Sequence, residues 1–150
     1  MKRSHLVAAV VCLGAALPAA AQFRKLPEDA IKHRQSVMTL QGHYVGPLFA
    51  MANGRVPFDA KLAADNAEIL STLTRLAWVG FVEGTDKGET NAKPEIWKEK
   101  ARFDETARKL QDDVAKLNAA AKTGNVDQIK AAVGAVGQTC KSCHDTFRKE

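Results

Sequence analysis

Apolar residues recur at spacings of three and four along four stretches of the chain, the rhythm of helices with one buried face. The first runs from Pro27 to Ala52. Pro27 suits a helix start, and Glu28 and Asp29 complement the dipole of its first turn. Ile31, Met38 and Val45 repeat along it, with Arg34, Gln41 and Leu48 between them. Gly46 and Pro47 are expected to bend this helix one turn before Asn53 and Gly54 stop it. The second is expected from Asp59, a capping residue, to Glu83, with Leu62, Asn66, Ile69, Leu73, Leu76 and Gly80 on one face. Gly84 to Lys93 has no apolar period and reads as a loop. The third opens at Pro94 and aligns Ile96, Phe103, Ala107, Leu110, Val114 and Leu117 until Gly124 ends it. Asn125 caps the fourth, which presents Val126, Ile129, Val133, Val136, Cys140, Cys143 and Phe147 in one stripe. Gly134 and Gly137 cost helix propensity there and leave room for a flat ligand or a neighbouring helix. Amphipathic helices, mostly short connections and no strand signal predict an all-α, antiparallel up-down-up-down four-helix bundle.

The fourth stripe carries the chemistry. Cys140-Lys141-Ser142-Cys143-His144 is a CxxCH sequence, in which two thiols can form thioether bonds to one haem and the histidine can ligate its iron. A haem c on the last helix must be enclosed by everything before it, which suits the inside of a bundle. The competing readings are a zinc site and a thiol redox pair. Zinc needs further ligands that the sequence does not offer, and the redox pair needs a strand–helix context that is absent.

Export agrees with haem attachment. Residues 1–21 read as a cleaved signal peptide: a basic start at Lys2 and Arg3, an apolar run from Leu6 to Leu17, and Ala19-Ala20-Ala21 before the cut. A lipoprotein anchor at Cys12 is disfavoured, because the apolar run continues past it. The mature domain is then 22–150, with Cys140 and Cys143 as its two cysteines. No other segment is apolar enough to span a membrane, and the expected location is the periplasm. The mature chain has 20 Lys and Arg against 17 Asp and Glu. A dispersed excess that small argues against nucleic acid as a partner.

The chain resembles cytochrome c prime, a class II c-type cytochrome. The resemblance rests on Gln22-Phe23, on His33-Arg34-Gln35-Ser36, on Lys93-Pro94-Glu95-Ile96-Trp97 and on the terminal motif running on to Asp145, and it covers the mature chain. It implies one covalently bound haem c on Cys140 and Cys143, with His144 as the axial iron ligand. It places Arg34 and Gln35 at the haem propionates, Thr90 or Asn91 at the haem edge, Met38 on the distal face and Arg148 over the proximal face. It further implies electron transfer, binding of nitric oxide or carbon monoxide, an unidentified redox partner and a homodimer formed through the first two helices. Val56, Phe58 and Trp78 are candidate interface residues.

Met38 leaves two arrangements open. As an apolar neighbour of the iron it gives a five-coordinate, high-spin centre, which the rest of the resemblance favours. As a thioether ligand it gives a six-coordinate, low-spin electron carrier with Met38 and His144 as axial ligands. No distal acid or base is evident for catalytic turnover, so the chain is not read as an enzyme. His33 and His43 read as surface residues, Trp78 and Trp97 as packing residues, and Phe147 as core. Asp145 either orders His144 or is exposed.

Overall fold

A computed structural model describes residues 27–150; the signal peptide, Cys12 and Gln22-Phe23 lie outside the described residues. Four long helices form an antiparallel bundle: α1 (Pro27–Ala52), α2 (Ala60–Leu76), α4 (Lys100–Thr123) and α5 (Val126–Phe147), with a one-turn α3 (Glu95–Lys98) before α4. Helix α1 packs on α2 and α5, and α4 packs on α2 and α5, which closes the ring. Among the described residues no helix is long and apolar enough to cross a membrane.

The caps follow from the sequence. Asp59 accepts the N–H of Leu62 at 2.9 Å, and Asn125 accepts that of Gln128 at 3.0 Å. Gly124 takes the left-handed conformation, φ 68°, that ends α4 and that glycine adopts without strain. Helix α1 continues through Pro47 to Ala52. The expected stripes of α4 and α5 are inside: Phe103, Ala107, Leu110, Val114 and Leu117 face Ile129, Val133, Val136 and Phe147 in the core.

The second helix differs from expectation in both face and length. Asn66, Leu73 and Gly80 are buried, but Leu62, Ile69 and Leu76 are exposed. Ala63, Ala67, Leu70, Thr74 and Ala77 take the inner positions. Small side chains at Ala63, Ala67 and Ala77 let this segment lie close to its neighbours, and Leu62, Ile69 and Leu76 are left outside. The α-helix ends at Leu76 rather than Glu83 and passes into a 3-10 turn at Trp78–Gly80. That turn lies against α1 so tightly that a Cβ on Gly80 would sit 2.7 Å from the carbonyl oxygen of Ala30 and 2.8 Å from Cβ of Arg34. The third helix is also interrupted, because Glu99 leaves helical geometry at φ −113°, ψ 42°.

Candidate functional site

At the end of the bundle where α1 begins and α5 ends, the helices enclose a cavity of about 680 Å³. That lies within the range of small-molecule and cofactor pockets. Cys140, Cys143 and His144 of α5 line it, as do Arg34, Gln35 and Met38 of α1, Thr90 and Asn91 of the loop, and Arg148. The fold thus gathers all nine candidate residues around one space. His33 and His43 do not line it. The rest of the wall is largely apolar: Val45, Phe49, Leu70, Trp78, Phe81, Ile96, Phe103, Leu110, Val114, Val136 and Phe147. Trp78 and Phe147 are therefore cavity residues as well as packing residues.

The two thiols are half-buried, one turn apart on α5. Burial pushes the Cys140 thiol up, and Asp113 adds to the effect. Burial and the neighbouring Cys140 push Cys143 up to about 11. As free thiols both stay protonated at neutral pH, so neither is a reactive redox thiolate. Burial, and then Arg148, hold the His144 imidazole below its usual range, with Asp145 opposing. That favours a neutral ring with a lone pair free for a metal. Among the described residues no group of three or more His, Cys, Asp or Glu side chains could hold an ion such as zinc.

Arg34 is 3 % exposed and its guanidinium is heavily committed. Nη1 donates to the Gly80 carbonyl at 2.8 Å and to Thr85 Oγ1 at 2.6 Å. Nη2 donates to the Thr85 carbonyl at 2.6 Å and to Thr90 Oγ1 at 2.7 Å. The charge lies 4.9 Å from the Phe81 ring and 5.8 Å from that of Trp97. Among the described residues no carboxylate pairs with Arg34, and burial lowers its pKa. A buried cation without a counter-ion is costly, so an anionic group in the cavity is its natural complement. Four of its five N–H groups are spent on protein, which leaves Nε–H and the charge itself.

The other polar groups of the wall are similarly engaged. Gln35 donates to the Glu89 carbonyl at 2.9 Å, Gln41 to that of Leu73 at 3.1 Å, and Thr39 to that of Gln35 at 2.9 Å. Met38 is half-buried and packs against the apolar cluster of Val37, Leu73 and Ala77, as do Tyr44 and Trp78. Arg148 is exposed at the rim. Asp145 is exposed and pairs with Lys141 at 2.5 Å. Sequence reasoning missed Thr85, Phe49, Phe81 and Phe103 as parts of the site. Gly137 on the cysteine helix makes room for a side chain, not a helix backbone: a Cβ there would meet the Phe49 ring at 2.9 Å.

Paired thiols beside an imidazole, an apolar slot and an unbalanced buried cation fit a flat, partly anionic iron macrocycle held covalently. Fold and site together define a c-type haem protein of the helical-bundle class. The family profile described as Cytochrome C' matches residues 29–148. Cytochrome c' of Rubrivivax gelatinosus is 51% identical over 130 residues, spanning 86% of this chain and 100% of the relative. Its crystal structure superimposes with a TM-score of 0.81 at 50% identity, covering 83% of this chain and 98% of that one. A nitric oxide complex of a leucine-to-alanine variant of cytochrome c prime from Alcaligenes xylosoxidans gives a TM-score of 0.78 at 44% identity, covering 83% and 96%. The chain belongs to the cytochrome c' family, whose members carry covalently bound haem c.

Proposed function

We propose that the protein is a periplasmic haem protein that transfers electrons and binds nitric oxide or carbon monoxide at a five-coordinate, high-spin iron. Haem, when bound, would supply an iron capable of ferric–ferrous redox change and of binding a diatomic ligand. Cys140 and Cys143 hold the group through thioethers, and His144 ligates its iron. Arg34, through Nε–H and its charge, together with Gln35, Thr90, Asn91 and Arg148, serves the propionates and the edge.

The observation that carries this reading is the packing of Met38. Its half-buried side chain packs against the apolar cluster of Val37, Leu73 and Ala77, which supports a role as a lid on the distal face rather than as a second axial ligand. Arg34 gives four of its five N–H groups to protein acceptors, and Gln35 and Gln41 each give one amide N–H, so few donors remain for a bound ligand that needs a hydrogen bond. That favours nitric oxide and carbon monoxide over oxygen, and binding over catalytic turnover. Optical and paramagnetic resonance spectra of the ferric protein test it. A high-spin signal is expected; a low-spin spectrum with a methionine–iron charge-transfer band sinks the five-coordinate reading.

Leu62, Ile69 and Leu76 form an exposed ridge on α2 at intervals of seven, with Leu40 of α1 and Val79 exposed as well. This ridge supports a homodimer better than Val56, Phe58 and Trp78 do. Trp78 is half-buried, donates to the Thr74 carbonyl and lines the cavity, and Phe58 packs on the core; Val56 alone of the three is exposed. Sedimentation of Ile69→Asp should show monomers where the wild type shows dimers. A wild-type monomer rules the homodimer out.

A further inference from the structure

The segment between α2 and α3 is tied at both ends. Toward α1, Arg34 and Gln35 donate five hydrogen bonds to Gly80, Thr85, Glu89 and Thr90. Toward α5, Ala92 forms an antiparallel bridge with Arg148. There the Lys93 N–H donates to the Phe147 carbonyl at 2.9 Å, and the Lys149 N–H to the Asn91 carbonyl at 2.8 Å. Lys93 Nζ also donates to the Asp145 carbonyl at 3.1 Å. Thr90 is where the two sets meet: its Oγ1 accepts from Arg34 at 2.7 Å and from the Ala92 N–H at 3.1 Å.

The second set does what a helix end needs. The last four carbonyls of a helix have no partner within it, and helix ends fray. Helix α5 has no glycine stop; Arg148 leaves it in extended conformation at φ −115°, ψ 134°. Lys93 instead takes up the Asp145 and Phe147 carbonyls, and the Arg148 N–H takes that of His144. The turn that carries His144 is therefore held from outside, by a loop that α1 holds in turn. Helices α1 and α5 pack on each other less than the other adjacent pairs do.

We infer that the loop 85–93 is a brace that positions His144 against the haem cavity, with Thr90 the positioning residue through which α1 acts on the end of α5. This rests on His144 as the axial ligand and is independent of what Met38 does. The test is the iron–histidine stretching band in resonance Raman spectra of the haem-loaded ferrous protein. The band is also recorded just after photolysis of the carbon monoxide adduct, so that either coordination state reports. Thr90→Val keeps the side-chain shape and removes the shared acceptor. A chain ending at Arg148 removes the Lys149 donor. Both should broaden the band and move it to lower frequency, and the two together should do no more than the larger one alone, as links in series do. A lowered thermal midpoint with an unmoved band in Thr90→Val overturns the inference, because the loop would then only support the fold. If Thr90→Val fails to load haem, the shortened chain decides by the same band. A low-spin ferric wild type would overturn the five-coordinate reading and leave this one standing.

Discussion

The two ends of the bundle are built from the same four helices and solve different problems. At the closed end, near the α1–α2 and α4–α5 turns, Leu48, Met51, Ala63, Ala67, Leu117, Ala121, Ile129 and Val133 fill the interior with apolar contact. At the open end the helices stand around about 680 Å³ of space. There the chain relies on hydrogen bonds to a long loop, on Arg34 and on a row of rings. Trp78, Phe81, Phe103 and Phe147 follow one another at centroid distances of 6.1, 4.8 and 5.3 Å. One end is stabilised by its own packing, and the other is shaped for a guest that completes it.

The two ends differ most when the guest is withheld. Without its guest this space must take in water against largely apolar walls, which is unfavourable. The Cys140→Ala, Cys143→Ala double variant, prepared without haem, should therefore lose its open end. Hydrogen exchange should show protection surviving near Leu117 and Ile129 and lost near Trp78 and Phe147. Uniform protection at both ends would mean that the cavity is self-supporting.

A smaller effect comes from the opposite end. Leu117 is fully buried in the closed core, and Leu117→Ala should cost about 2–5 kcal/mol, since the surrounding helices relax only partly into the gap. It should leave the haem spectrum unmoved, because the residue does not line the cavity. Denaturant unfolding of the haem-loaded protein together with its Soret band checks both halves. A shifted band would show that the two ends are mechanically joined.

The difference between the ends also explains what could be read from the sequence. Helices α4 and α5 obey a plain three-four period because they pack large apolar residues, so their stripes and both thiols were legible. The cap residues Asp59 and Asn125 were legible for the same local reason. On α2 the bulky residues misled, because alanines go inside when helices pack closely and alanine gives a weak periodic signal. Its early end at Leu76 was set by the approach of Gly80 to α1, a contact between residues far apart in sequence. Thr85 was invisible: its partner Arg34 is 51 residues away, and nothing local in a Gly-rich loop marks which hydroxyl is buried. The family resemblance pointed to Arg34, Thr90 and Asn91, but not to the network that joins them.

Asp113 lies where the two ends join, and its protonation changes what holds them together there. Asp113 is 5 % exposed on α4. It accepts from Thr139 of α5 at 2.7 Å, beside Cys140, and from Lys109 at 2.7 Å, with Lys116 at 3.8 Å. Burial alone would raise its pKa; the hydrogen bonds from Lys109 and Thr139, with the lysine charges, outweigh it and hold the carboxyl below its usual value. A carboxyl depressed by folding adds stability above its unfolded pKa of about 3.9 and loses it as pH falls through the folded value. Asp113→Asn keeps an acceptor for Thr139 and gives up the charge. It should cost about 1–3 kcal/mol at neutral pH, the range for a hydrogen-bonded buried charge. Below the folded pKa the wild type carries a neutral carboxyl too, and the two stability curves should converge. Denaturant midpoints of both proteins across that acid range are the measurement. A gap that stays constant into acid would mean that the substitution acts through packing between α4 and α5, and that the ion pairs with Lys109 and Lys116 contribute nothing to the junction.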